Sequence, residues 1–246
     1  MVDWRQRDVA FVHFGKAGGQ YVARYVSQLL GPNCETLNSF SRGLRRDWSN
    51  GEMRIIAQKI FHPNRQLFVA NHHHNFGPEL VRFYKANGWA TFCFVRDPRD
   101  VITSLYFYGL KLIEAGKDCP GSPLHPAGVL AGHLKPDAFE PLDATAMDLD
   151  AWAEAMVERE ELHRFWALPP WLDEVEFVAP ISDDSLAWFF IKHFGHDYRP
   201  RQRVNVSGNQ GFSTYVRAGE ISQEVEAKVN NHPKIVAALE RLEVWR

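Results

Sequence analysis

The chain has 246 residues, 45% of them hydrophobic and 24% charged, an ordinary globular composition that supports a sizeable core and one large α/β domain over residues 1–246. Its formal net charge of −2 excludes a protein that coats nucleic acid through overall basicity, yet leaves room for a local basic pocket that takes a small anion. No apolar run reaches the roughly 18 residues of a membrane span, and the opening MVDWRQRDVAFVHF is broken by charge, unlike a signal peptide. A cytoplasmic protein is expected, with neither nucleic acid nor membrane as partner. Cys34, Cys93 and Cys119 are odd in number and lack metal-type spacing, which predicts reduced thiols at small core or loop positions.

Val9–Phe14 (VAFVHF) reads as a short buried strand. Gly15–Gly19 interrupts it, and Gln20–Leu30 shows helical spacing through Val22, Val26, Leu29 and Leu30, stopped by Gly31-Pro32. Gln66–Ala70 predicts a second strand, followed by the loop NHHHNFGP and a helix from about Glu79 to Ala86. Thr91–Val95 predicts a third. Asp97-Pro98 then opens a helix to about Ala115, with Asp at the N-cap and Pro at the first position.

Residues 117–147 are rich in Pro and Gly with little periodicity, the pattern of a lid, a binding loop or a disordered segment. Helix is expected at Leu149–Phe165, strand at Val175–Val178 and helix at Asp183–His193. An irregular stretch, 195–218, precedes C-terminal helices. Strands alternating with helices predict a three-layer α/β/α sandwich with a central, mostly parallel sheet. Such sheets bind ligands at the carboxyl ends of their strands. The loops after Phe14, Ala70 and Val95 all fall there.

The first of these loops, G-K-A-G-G around Lys16, has the strand–glycine–helix form that cradles phosphate. Its glycines let N–H groups converge, and the helix N-terminus favours an anion. The triphosphatase motif G-x-x-x-x-G-K-[ST] is not satisfied, because Ala10 stands at its first glycine and Ala17 at its magnesium-binding hydroxyl. Taken alone, the glycine pair suits a tight strand–turn–helix as well as it suits a phosphate. After the third strand comes R-D-P-R-D-V-I-T-S-L-Y, where Arg96 offers a planar fork and Ser104 a neutral donor. They suit a second phosphate; the bland alternative is an Arg96–Asp97 structural pair with Ser104 a tolerated helix residue.

This segment resembles the 3′-phosphate-binding segment of the sulfotransferases, R-x-P-x-D-x-x-x-S-x-Y. F-V-H-F-G-K-A-G-G is similar to that family's 5′-phosphosulfate loop, F-I-H-I-P-K-T-G-G. Both segments stand in the family's order and at its spacing, each after a strand. The direct likeness covers about 40 residues. It implies a P-loop NTPase-like fold and transfer of a sulfuryl group from 3′-phosphoadenosine-5′-phosphosulfate to a hydroxyl of a small-molecule or sugar acceptor. It also implies roles for individual residues. Lys16 stabilises charge on the leaving phosphate, the backbone of Ala17, Gly18, Gly19, Gln20 and Tyr21 holds the 5′-phosphate, Tyr21 stacks on adenine, and Arg96 and Ser104 hold the 3′-phosphate. Gly15, Ala17 and Gln20 depart from the family's proline, small hydroxyl residue and threonine. No metal is implied, since Lys16 and the loop amides supply the electrostatic stabilisation.

In N-H-H-H-N-F-G, aligning Phe76-Gly77 with the family's G-H-F-P-Y-G places His73 at the general base, with His72 the alternative. Three successive histidines could also suggest a metal, but side chains that alternate along an extended chain share one poorly. The late run Arg199–Arg203 followed by VNVSGNQGFSTY is similar to the family's nucleotide-closing loop, with Gly208 and Gly211 at its G-x-x-G spacing and Arg203 or Arg217 as the basic partner; a solvated loop is the alternative. Trp152, Phe165, Trp166 and Trp171, in or near the variable region 117–170 that would bind the acceptor, either line an acceptor pocket or belong to the core. Glu158–Glu161 reads as an exposed helix face. Two other functions remain open: a divergent P-loop kinase of a small molecule, which would need Mg-ATP, and a non-catalytic nucleotide-binding protein of the same fold.

Overall fold

A computed structural model describes residues 3–15, 17–32, 34–38, 66–72, 78–114, 142, 144–198 and 211–245. The protein is α/β with a five-stranded, all-parallel sheet. The strands are β1 (Val9–His13), β2 (Cys34–Asn38), β3 (Gln66–His72), β4 (Ala90–Val95) and β5 (Phe177–Pro180). The described helices are α1 (Gly19–Leu30), α2 (Pro78–Ala86), α3 (Pro98–Glu114), α4 (Leu149–Glu158), α5 (Asp183–Phe194), α6 (Phe212–Arg217), α7 (Gln223–Asn231) and α8 (Pro233–Val244). The chain divides into two compact units. One comprises Met1–Val95, Pro170–Val204 and Trp245–Arg246, the other Arg96–Pro169 and Asn205–Val244.

The first unit holds the sheet, in the order β2-β3-β1-β4-β5. All five residues of β1 and all six of β4 are buried, which is why these strands read as unbroken apolar runs rather than alternating ones. Side chains of a strand point alternately to its two faces. Val9, Phe11, Phe68, Ala70, Phe92, Phe94 and Phe177 share one face and pack with Val22, Tyr25 and Val26 of α1 and Phe189 and Phe190 of α5. Ala10, Val12, Leu67, Val69, Thr91 and Cys93 fall on the other face and are equally buried. α1 ends at Gly31, whose φ of +76° is a conformation that glycine adopts without a Cβ penalty. α5 starts on Ser182, whose hydroxyl accepts the Ser185 N–H at 3.0 Å, a cap worth about 1 kcal/mol.

Three expectations shift within this unit. β2 was not anticipated. The fifth strand runs from Phe177 rather than Val175, because the Glu176 N–H is taken by Thr91 Oγ1 at 2.9 Å and the ladder on β4 starts at Phe92–Phe177. Cys34 opens β2 as a partly exposed residue.

The second unit is helical. Its core joins Val101 and Ile102 of α3, Trp152 and Met156 of α4, Phe212 and Tyr215 of α6, Val225 and Val229 of α7, and Ile235 of α8. Asp148 caps α4 by accepting the Ala151 N–H at 2.9 Å. The helix expected over Leu149–Phe165 breaks at Arg159, which is extended at φ −91° and ψ 106°, and a 3₁₀ helix, Glu160–Phe165, follows. His232 joins α7 to α8: its N–H is accepted by the Val229 carbonyl at 3.2 Å, and its Nδ1 accepts the Lys234 N–H at 3.2 Å. No described helix is long and apolar enough to cross a membrane.

Candidate functional site

Because β3, β1 and β4 are adjacent and parallel, their carboxyl ends lie at one edge of the sheet, with His13 in register with His72 on one side and with Phe94 on the other. The three chemistry-bearing loops therefore leave from neighbouring strands. Lys16 and His73 lie outside the described residues, as do 199–210 with Arg203 and Gly208. His72 is the last residue of β3.

In the turn from β1 to α1, the Ala17 N–H is accepted by the Phe14 carbonyl at 3.3 Å, and the Tyr21 and Val22 N–H groups by the Gly18 carbonyl at 3.0 and 3.1 Å. Gly18 is the N-cap, at φ +68°, and as a glycine supplies no side-chain cap. The first N–H groups of a helix lack intrahelical acceptors, so a start whose N-cap residue offers no capping oxygen favours an anion through those groups and the helix dipole. Gln20 lies in the first turn of α1. Ala17 is 1% exposed, so a hydroxyl residue at this position would direct its side chain into packed surroundings.

The two glycines have different local reasons. Gly18 needs its positive φ; a Cβ there would come no nearer than 3.8 Å, to Ile181. Gly19 is helical, but a Cβ on it would lie 1.6 Å from Cδ2 and 1.9 Å from Nε2 of His13. The imidazole of His13, buried and stacked on Phe11 at 5.8 Å, occupies that volume. His13 thus lines the turn that carries the glycine loop, although in the sequence it is one member of an apolar run, followed by the G-G pair.

Tyr21 reaches Tyr198, with 3.1 Å between their hydroxyls. Tyr25 stacks with Tyr21 and meets Tyr198 edge-on at 5.3 Å. Burial, and then the hydrogen bond with Tyr21, push the Tyr198 phenol well above its ordinary pKa. The ring of Tyr21 is thus held from its hydroxyl end.

In the turn after β4, Asp97 caps α3 by accepting the Arg99 N–H at 2.9 Å. Its carboxylate also takes the Arg99 guanidinium, through Nε at 3.0 Å and Nη2 at 2.6 Å, and that hydrogen bond raises the arginine's pKa. Asp97 is therefore the partner of Arg99. Arg96 has one ion pair among the described residues, Nε to Asp100 Oδ2 at 3.5 Å, and its side chain is 26% exposed. Ser104 is 1% exposed; a phosphate would reach its hydroxyl only by displacing what covers it. Asp100 and Ser104 lie four apart on α3, the spacing of one helix face, and Arg96 precedes the helix by two residues. Gly211 is the N-cap of α6 at φ +88°. Arg217 is exposed and donates to Thr214 Oγ1 at 3.2 Å.

Three of the four aromatic candidates for an acceptor pocket belong to the core. Trp152, Phe165 and Trp166 are at most 2% exposed, and the two indole N–H groups donate to the Ile102 and Met156 carbonyls at 3.1 and 2.8 Å. Trp171 is partly exposed, on the 3₁₀ helix Pro170–Glu174. Of Glu158–Glu161, the three glutamates are exposed, while Arg159 is half-buried and pairs with Glu161 at 2.7 Å.

No protein-family model, curated protein sequence or solved structure shows significant similarity to the chain.

Proposed function

We propose that the protein is a sulfotransferase that uses 3′-phosphoadenosine-5′-phosphosulfate. The observation that carries this reading is the pairing of two motif-like segments with two adjacent parallel strands: G-K-A-G-G follows β1 and R-D-P-R-D-V-I-T-S-L-Y follows β4. On this reading the sheet is the centre of a three-layer α/β/α, P-loop NTPase-like fold. Arg96 supports it further, since it stands at the carboxyl end of β4 with a partly exposed side chain and a guanidinium fork suits phosphate oxygens.

In the reaction, the acceptor hydroxyl attacks sulfur in line, the S–O bond to the 5′-phosphate breaks, and 3′-phosphoadenosine-5′-phosphate leaves. His73, or His72 in its place, takes the acceptor proton. Lys16 and the amides at the start of α1 stabilise the charge growing on the leaving phosphate, with no metal required for that task. Arg96 and Ser104 bind the 3′-phosphate, the group that separates this donor from ATP.

The test is thermal shift with 3′-phosphoadenosine-5′-phosphate against ATP plus magnesium, since a ligand stabilises only the state that it binds. The bisphosphate alone should raise the melting temperature. Stabilisation by Mg-ATP alone would overturn the proposal in favour of a kinase, and a shift with the bisphosphate but no sulfate transfer to any acceptor would indicate a non-catalytic binder. Lys16→Ala should lower turnover by roughly 100- to 1000-fold with the fold intact; near-wild-type turnover would remove Lys16 from the mechanism.

A further inference from the structure

Asp100 lies in the first turn of α3, four residues after Arg96 and one helical turn before Ser104, and its carboxylate serves two elements of the second unit. Oδ2 faces Nε of Arg96 at 3.5 Å. Oδ1 accepts the N–H of Phe212, the first residue of α6, at 2.9 Å. α6 has no side-chain cap from its own N-cap, which is glycine, so the capping oxygen comes from α3 instead, more than a hundred residues earlier in the chain. Gly211 makes this approach feasible: its φ is +88°, and a Cβ there would lie 3.1 Å from Asp100 Oδ1.

The arrangement is directional. The carboxylate faces the guanidinium at Nε, the nitrogen on the stem side, whereas the two-pronged end that grips a phosphate is the Nη edge. A surface ion pair at 3.5 Å contributes little stability; its consequence is orientation. At the same time the second oxygen fixes the first residues of α6 against the same turn of α3.

We propose that Asp100 is a positioning residue: it aims Arg96 at the 3′-phosphate of the nucleotide and anchors the start of α6 beside it. The nucleotide part rests on the sulfotransferase reading above. The chemistry selected is a nucleotide with a 3′-phosphate over the same nucleotide without it.

The experiment measures, by titration calorimetry, the affinities of the wild type, Asp100→Asn, Asp100→Ala and Arg96→Ala for adenosine 3′,5′-bisphosphate and for adenosine 5′-monophosphate. Asparagine retains an oxygen for the Phe212 N–H but loses the charge. Asp100→Asn should therefore fold as the wild type does and bind the monophosphate unchanged, while its preference for the bisphosphate falls about tenfold. Asp100→Ala should show the same loss and faster hydrogen exchange at the Phe212 amide, because that donor then has no carboxylate. An unchanged or increased preference in Asp100→Asn, with Arg96→Ala abolishing it, overturns the positioning role and leaves the sulfotransferase reading standing. A wild type that binds both nucleotides equally overturns that reading and the nucleotide part of this proposal together. Unaltered exchange at Phe212 in Asp100→Ala overturns the anchoring part alone.

Discussion

Replacing Gly19 by alanine asks whether His13 sets the start of α1. The added Cβ would stand 1.6, 1.9 and 2.3 Å from Cδ2, Nε2 and Cγ of the imidazole, whereas carbon atoms settle at about 3.5–4 Å. Either the ring or the first turn must move by roughly 2 Å. The ring lies in packed surroundings against Phe11. Overpacking of this kind costs about 1–3 kcal/mol, and so severe an overlap belongs at the upper end. A helical Gly→Ala change returns about 0.5–1 kcal/mol, so the net loss is about 2 kcal/mol. For a chain of this size that lowers the melting temperature by about 4–8 °C. His13→Ala alone leaves a cavity and costs about 2–3 kcal/mol. The double variant places the new methyl group in the vacated space, so the two losses should fall short of their sum by about 2 kcal/mol. Urea denaturation of the four proteins measures this coupling. Gly19→Ala as stable as the wild type, or two losses that simply add, would show that the glycine is not there to admit the histidine.

Acid should weaken both units, each through histidines held neutral. His193 lies against Trp4, at 4.2 Å between ring centroids, and against Phe189 and Phe177, with no partner for Nε2 among the described residues; burial first, and then Lys192, push its pKa down to about 4. The unfolded chain takes up this proton near pH 6.5 and the folded chain only near 4, so stability is full above 6.5 and falls as the pH drops between these values. The linkage amounts to roughly 3 kcal/mol before screening, and about 2 once partial exposure to water is allowed for. His193→Phe should stabilise the protein and flatten the profile of melting temperature from pH 7 to 4.5; a profile as steep as the wild type's would refute this role. In the second unit, His163 donates through Nε2 to the Val157 carbonyl at 2.7 Å and faces Lys234 Nζ at 3.0 Å from Nδ1. Burial foremost lowers the pKa of both His163 and His232, so the same sign holds, and protonating His232 removes the Nδ1 acceptor of the Lys234 N–H. The protection factor of the Lys234 amide, corrected for the intrinsic pH dependence of exchange, should fall between pH 7.5 and 5, and a pH-independent protection factor there would rule the device out.

Much of the sheet was legible from its residues. β1, β3 and β4 are apolar runs because they are central and buried on both faces. β2, C-E-T-L-N, carries no such run, since among the described residues it lies at the sheet edge and pairs only with β3; its strand character comes from a ladder that local propensity does not encode. The break at Arg159 was hidden for a similar reason, because apolar spacing continues through Leu162 and Phe165 into the 3₁₀ helix. For the candidate site, the three loops could be placed from the strand–helix alternation alone. The partners could not. Asp100 reads as an ordinary acid in a helix's first turn, and nothing local ties it to Phe212 across 112 positions. His13 reads as one more member of a buried run, and only the three-dimensional proximity of Gly19 reveals what its ring does.

The separation of β4 from β5 bears on how the protein is made. Residues 96–176, which build most of the second unit, intervene between these neighbouring strands. At ribosomal speeds of about 5–20 residues per second, their synthesis takes on the order of ten seconds. Throughout that interval the flank of β4 that β5 will occupy is an unpaired, apolar strand edge on the nascent chain, a template for association with other chains. Slowed translation before Phe177, or a chaperone that shields Ala90–Val95, should therefore change the yield of folded protein more than the same intervention placed after Pro180.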